Sequence, residues 1–304
     1  MEIDDYDEFR ILDLQNIINR LEASDKIEVK LCENENKKEK FVIKFEDVNT
    51  SVSRLFAEYR VLKRMADSGR TPKVYYFGVH FNKYALVTQY LGPNLELLFN
   101  ICERKFTLKT VLQIALQIID GIQYLHSKNL IHRLISHECF YVSKWPHASC
   151  TKICLTEFGL AKEYKDRRTN QHIPFREHDI LIGIPRYMSI NAHQYKEQSR
   201  RDDIEAIAYV LIYFMRGSLP WQAKNQTSNI RQQYEAIKQM KMNTSPQELC
   251  SEIPQQFAQL LTYARNLDFV QTPDYSFMKQ LFTTAIENNN VVIDDQFDWN
   301  TFID

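Results

Sequence analysis

The chain has 304 residues, 44% of them hydrophobic, enough for a sizeable core in one large domain or two lobes sharing a cleft, and too apolar for a disordered chain. Lysine plus arginine number 38 against 39 acids, a net charge of −1 that argues against non-specific binding to nucleic acid or an anionic membrane. No apolar run reaches the roughly 18 residues a membrane span needs, and no basic-then-apolar start marks an export signal. The expectation is a cytosolic or nuclear monomer whose six scattered cysteines are reduced thiols. His147, Cys150 and Cys154 invite a zinc reading, but their spacing matches no common structural site and no fourth ligand is evident, so no metal is expected there.

In chain order, residues 1–90 mix short β-like runs with one helix. Phe41-Val42-Ile43-Lys44 and Tyr84-Ala85-Leu86-Val87-Thr88 read as strands. Between them, Ser51 or Ser53 caps a helix carrying Leu55, Tyr59 and Leu62 on one face. Leu91-Gly-Pro-Asn94 breaks the pattern and reads as a hinge. Val111, Ile114, Ala115, Ile118, Ile122 and Leu125 recur at three- and four-residue steps, the stripe of an amphipathic helix. Ile204, Ile207, Tyr209, Val210 and Ile212 mark a second, evenly apolar and therefore central helix. The acidic then aromatic tail (Phe297, Trp299, Phe302) is expected to pack back on the body.

Several ordered motifs carry a resemblance. Leu91-Gly-Pro-Asn-Leu-Glu, Arg104-Lys-Phe-Thr-Leu-Lys-Thr110, Tyr124-Leu-His-Ser-Lys-Asn-Leu-Ile-His-Arg133, Phe158-Gly-Leu-Ala-Lys162, Gln171-His-Ile-Pro-Phe-Arg-Glu177, Arg186-Tyr-Met-Ser-Ile-Asn191, Glu197-Gln-Ser-Arg-Arg-Asp-Asp203 and Gly217-Ser-Leu-Pro-Trp-Gln222 resemble casein kinase 1, almost continuously from about residue 40. The resemblance implies an α+β bilobal kinase-like fold in a single domain over 1–304. A β-rich N-lobe would occupy about 1–90, a hinge 91–94 and a helical C-lobe 95–304, ending where a kinase core ends, without a regulatory tail.

The resemblance also implies site residues, and here the chain departs from the family. Phosphoryl transfer needs a phosphate cradle, a lysine, metal ligands and a base. No glycine precedes Gly69, so the cradle expected within Asn16–Lys30 carries Arg20, Leu21 and Glu22 instead. Lys44 and Glu58 match the phosphate-contacting lysine and its helix partner. Leu134 stands where the family has the catalytic aspartate, Ser136 where it has a lysine, Cys139 where an asparagine holds a metal, and Glu157 where an aspartate does. Cysteine suits magnesium poorly; glutamate can ligate it. Ile184 replaces a threonine that would bond the missing aspartate. Around the base of a nucleotide, Val42 and Tyr141 replace a small roof and an aliphatic floor, near Thr88 and Leu91. Tyr141 either partly fills the adenine slot or turns away from it. His132, Arg133, Phe158, Gly159, Asp203 and Leu62 match architectural positions. Arg186, Gln222 and Arg231 are what remains of a basic pocket for acidic or phosphorylated peptides, with Gln233 in place of its lysine.

From these losses the expectation is a catalytically inactive pseudokinase. It would bind neither ATP nor magnesium, and would engage a protein partner, such as an active casein kinase 1 or its acidic substrates. Two alternatives stand beside it: a slow ATP- and Mg-dependent Ser/Thr kinase using Lys44 and Glu157, and a structural relic without a partner.

Overall fold

The computed structural model describes residues 9–12, 27–34, 39–143, 152–222 and 229–302. Five antiparallel strands form the N-terminal sheet: β1 (Phe9–Leu12), β2 (Ile27–Asn34), β3 (Lys40–Asp47), β4 (Val74–His80) and β5 (Lys83–Gln89), in the order β1-β2-β3-β5-β4. Side chains alternate across β3 as strand geometry requires. Phe41 and Ile43 pack with Cys32 and Val87 on one face, which leaves Val42, Lys44 and Glu46 on the other. The β4–β5 connection is a tight hairpin in which Phe81 and Asn82 both take positive φ (43° and 59°), the backbone that matches strand twist. Helix α1 (Arg54–Met65) crosses the sheet, capped by Ser53, whose side chain accepts from Phe56 N–H. Leu55, Val61, Leu62 and Met65 are buried on its inner face.

After residues 91–94 the chain is helical: α2 (Leu95–Ile101), α3 (Leu108–Ser127), the short α4 (Ile190–His193), α5 (Arg200–Arg216), α6 (Ile230–Asn243), the short α7 (Pro246–Leu249), α8 (Gln255–Asn266) and α9 (Tyr275–Asn288). Asn94 and Thr107 cap α2 and α3 through their side-chain oxygens. The stripe expected on α3 is buried. Every residue from Asp202 to Phe214 on α5 is buried, which makes it the central helix; Gly217 ends it at φ 80°, where a side chain would be strained. Two small ladders, β6 (Leu130–Ile131) with β9 (Lys162–Glu163) and β7 (Phe140–Val142) with β8 (Ile153–Leu155), lie between α3 and α4 in sequence. The architecture is thus a β-rich N-terminal lobe followed by a helical C-terminal lobe, α+β.

The tail returns to the body. Asp298 accepts hydrogen bonds from the Thr107 amide (2.6 Å) and hydroxyl (2.8 Å). The stacked pair Phe297–Trp299 is buried, with Trp299 edge-on to Phe106; Phe302 stays exposed.

The segment from β9 to α4 is pinned by two buried groups. Lys241 on α6 donates to the carbonyls of Pro185 (2.8 Å) and Met188 (2.6 Å), its ammonium over the Tyr209 and Trp221 rings. Glu197 collects Lys162 (2.8 Å), Arg176 (2.8 Å) and His178 (3.0 Å). Burial alone would raise the Glu197 pKa, but the hydrogen bonds from Lys162 and Arg176 and the charges of Lys162 and His178 hold it down to about 2. Because that folded value lies below the ordinary glutamate range, the stabilisation is present above about pH 4.5 and is lost as the pH falls towards 2. Urea unfolding across this window will show a slope that Glu197→Gln flattens, the variant being the less stable protein at neutral pH.

Candidate functional site

The site is built where β3, α1 and the turn at 157–160 meet. Lys44, from the middle of β3, points its ammonium at two carboxylates. It lies 2.9 Å from Glu58 Oε1 on α1 and 2.9 Å from Glu157 Oε1. The side chains are 12%, 5% and 22% exposed, so all three charges sit largely out of water. Burial would lower the Lys44 pKa, but the charges of Glu157 and Glu58 override it and keep the ammonium far above the ordinary lysine range. Glu157 reaches Lys44 because its backbone is left-handed (φ 63°, ψ 50°). This conformation is costly for glutamate and persists only when neighbours determine it. Those neighbours are visible. Phe158 is fully buried and tilts against His132 at 5.2 Å. Gly159 lets the turn approach α1 so closely that a Cβ there would stand 3.2 Å from Arg54 Cβ.

The loop carrying Leu134 is held by its backbone. Asp203, at the start of α5, accepts from the amides of His132 (2.7 Å) and Arg133 (2.9 Å) and from His126 Nε2 (3.0 Å). Since the carboxylate only accepts, His126 carries its proton on Nε2, and Nδ1 accepts from the Tyr275 hydroxyl at 2.6 Å. His132 Nε2 donates to Thr156 O (2.8 Å) and its Nδ1 accepts from Leu134 N–H (3.2 Å). Burial keeps both histidines below their ordinary pKa, in the neutral form that this bonding requires. Arg133, at φ 66°, donates through Nε to Leu160 O at 2.7 Å and so ties the loop to the 157–160 turn. The backbone at Leu134 is therefore fixed at both ends, although the side chain offers no acceptor.

Ser136 and Cys139, read from sequence as lost functional groups, cap each other. The Ser136 hydroxyl accepts from Glu138 N–H, and the Cys139 thiol donates to Ser136 O at 3.0 Å. Burial pushes that thiol well above its ordinary pKa, so Cys139 is a protonated, soft group and does not fit a magnesium ion. Glu157 does fit one: it is a hard carboxylate donor, still partly exposed, and magnesium takes one or two protein carboxylates while keeping waters and phosphate oxygens. The residues present suit one magnesium ion rather than two.

Val42 pairs with Thr88 across β3 and β5, and Thr88 and Leu91 are buried. Tyr141 sits on β7 beside residues 92–94, through Gly92 N–Val142 O (2.7 Å) and Val142 N–Pro93 O (3.0 Å). Its hydroxyl bonds the Asn94 side chain, and burial together with the Glu157 charge raises its pKa well above the ordinary range. Arg186 turns to the 137–139 turn that follows the Leu134 loop, donating to His137 Nε2 at 3.2 Å. Burial and the nearby Arg186 and Arg104 charges hold His137 down to about 3, so it stays neutral and accepts that bond. Gln222 closes a local turn by accepting from Leu219 N–H, and Arg231 lies exposed at the start of α6. Among the described residues no hydrogen bond joins Arg186, Gln222 and Arg231. Arg20, Leu21, Glu22, His147 and Cys150 lie outside the described residues.

Sequence reasoning missed His126 and Tyr275 as supports of Asp203. Replacing Lys44 by Met leaves two carboxylates uncompensated, and urea denaturation will show a loss of about 3 kcal/mol, part of which Glu157→Gln restores in the Lys44→Met background.

Comparison with known proteins now bears on this geometry. A family model described as the protein kinase domain matches residues 26–277. Casein kinase I homolog 1 of Schizosaccharomyces pombe is 43% identical over 258 residues, covering 85% of this chain and 58% of that protein. Casein kinase I homolog 2 of the same organism is 41% identical over 257 residues, covering 84% and 59%. The chain spans about three fifths of the length of these curated relatives. The expectation of a catalytically inactive binding module is corrected by these matches: identity at this level over most of the chain sides with the kinase alternative. The losses at Leu134, Ser136 and Cys139 leave the charged groups and the backbone around them assembled. The chain belongs to the protein kinase family, within its casein kinase I branch.

Proposed function

We propose that the protein is an ATP-dependent Ser/Thr protein kinase of slow turnover, working with a single magnesium ion. The observation that carries the reading is the Lys44 ammonium held 2.9 Å from both Glu58 and Glu157 across three elements of the fold. The similarity to the two casein kinase I homologs supports it.

Magnesium-bound ATP would supply the transferable phosphoryl group and a cation that neutralises the charge on its oxygens. Glu157 would hold that ion. Lys44 would place a permanent positive charge on the phosphates, oriented by Glu58. Asp203, through the amides of His132 and Arg133, fixes the loop that a substrate hydroxyl approaches. Phosphoryl transfer passes through a loose transition state in which positioning and charge neutralisation dominate and little proton abstraction is required of the protein. A missing base costs about 10²–10⁴ in rate. Against kinase turnover of about 1–100 s⁻¹, loss of the base alone would give about 10⁻⁴ to 1 s⁻¹, an upper range that the missing glycine cradle and metal-ligating asparagine lower further. The substrate is a protein serine or threonine. Its recognition owes less to a basic pocket than the family pattern implies, because Arg186 is already engaged by His137.

Two results test the reading. Addition of Mg·ATP will raise the melting temperature of the wild-type protein and not that of Lys44→Met; no shift in either protein would count against it. Leu134→Asp will put a carboxylate on a loop whose backbone is already set and raise kcat by about 10²-fold or more. An unchanged kcat would show that the loop is not placed for catalysis.

A further inference from the structure

Glu46 is a buried carboxylate, 2% exposed, that the chemistry above does not use. It lies on β3 two residues after Lys44, on the face that meets α1. Its Oε1 accepts from Arg54 N–H at 3.0 Å, and its Oε2 from Leu55 N–H at 3.2 Å and from the Ser53 hydroxyl. The next donor, Phe56 N–H, is met by Ser53 Oγ at 2.9 Å, and Ala57 N–H makes the first intrahelical bond, to the Ser53 carbonyl at 3.3 Å. The first three helical amides, which have no intrahelical partners, are therefore all satisfied, two of them by a side chain from a different element. A negative charge there also complements the positive end of the helix dipole.

An ordinary cap is local and stabilises its helix wherever the helix goes. Glu46 is not local: it is fixed to the same strand, on the same face, as the lysine that Glu58 must reach. Strand β3 therefore grips α1 twice, at its first turn through Glu46 and one turn further on through Lys44–Glu58. One contact alone would leave the helix free to pivot or roll about it; two set both its position and its rotation.

We infer that Glu46 is a positioning residue for phosphoryl transfer, docking the N-terminus of α1 on β3 so that Glu58 is delivered to Lys44. Its bearing on catalysis rests on the kinase reading; its bearing on the Lys44–Glu58 contact does not.

The test measures Lys44 directly. An acylating probe reacts only with unprotonated amine, so a fall of one unit in the Lys44 pKa raises labelling about tenfold. Acylation of the intact protein, mapped by mass spectrometry and referred to Lys109, will be about tenfold faster at Lys44 in Glu46→Ala, with Glu58→Gln as the positive control for a broken pair. Hydrogen exchange at Arg54 and Leu55 will accelerate by about 10- to 100-fold in the same variant. Glu46→Gln keeps one acceptor oxygen and will give a smaller effect on both readouts; it also serves if the alanine variant does not fold. Faster exchange at Arg54 and Leu55 with unchanged Lys44 labelling would overturn the inference and leave Glu46 a local cap. Unchanged values on both readouts would overturn it too. A wild-type protein that transfers no phosphate, but whose Lys44 labelling still depends on Glu46, would refute the kinase reading and leave the docking role standing.

Discussion

The arrangement depends on one buried cation shared by two carboxylates. Lys44 Nζ stands 2.9 Å from an oxygen of each, one carried by α1 and the other by the turn after β8. Taking three charges out of water is costly, and only close mutual contact offsets it. The cost of separating them makes strand, helix and turn one mechanical unit. The left-handed backbone at Glu157, the close approach at Gly159 and the burial of Phe158 against His132 all lie along that unit. The left-handed backbone is a local cost, offset by the buried Phe158 and the close turn at Gly159, and it delivers the carboxylate to the lysine.

A second frame holds the loop around Leu134 without using the side chain at that position. Asp203 gathers two backbone amides and His126; His132 spans from Thr156 to Leu134; Arg133 reaches Leu160. These are backbone-directed bonds from buried groups, so the path of the loop is insensitive to whether residue 134 is an acid or a leucine. The two frames touch at the 156–160 segment, which accepts from His132 and Arg133 and presents Glu157 to Lys44. A geometry suited to charge neutralisation thus coexists with a missing proton acceptor, and a loose transition state tolerates that combination better than most reactions would.

Much of this was legible in the sequence, for identifiable reasons. The stripe on α3 and the evenly apolar α5 follow from helical periodicity, and Lys44, Glu58, Asp203 and Phe158-Gly159 stand in ordered motifs with fixed spacing. What was not legible depends mostly on tertiary convergence. The local capping of one turn by the Ser136 hydroxyl and the Cys139 thiol was not anticipated either, and it is compatible with both positions having lost the family's functional groups. Arg186 was assigned to a surface pocket with Gln222 and Arg231, whereas its guanidinium lies on His137, a residue 49 positions earlier. Strands β2 and β4 passed unremarked, although Ile27-Glu-Val-Lys-Leu-Cys alternates as a half-buried strand should. The expectation of inactivity rested on the missing base, cradle and metal ligand together; the identity to the casein kinase I homologs overturns it, and the assembled Lys44, Glu58 and Glu157 charges are the part of the machinery that is retained.

The central claim is that the assembled charges transfer phosphate without a general base. The most direct measurement is transfer of label from γ-labelled ATP, with magnesium, to a generic protein substrate by purified wild-type protein and by Lys44→Met, with product verified on serine or threonine. The account predicts slow, magnesium-dependent labelling by the wild type and none by the variant; equal labelling by both, or none by either at high enzyme concentration, would contradict it.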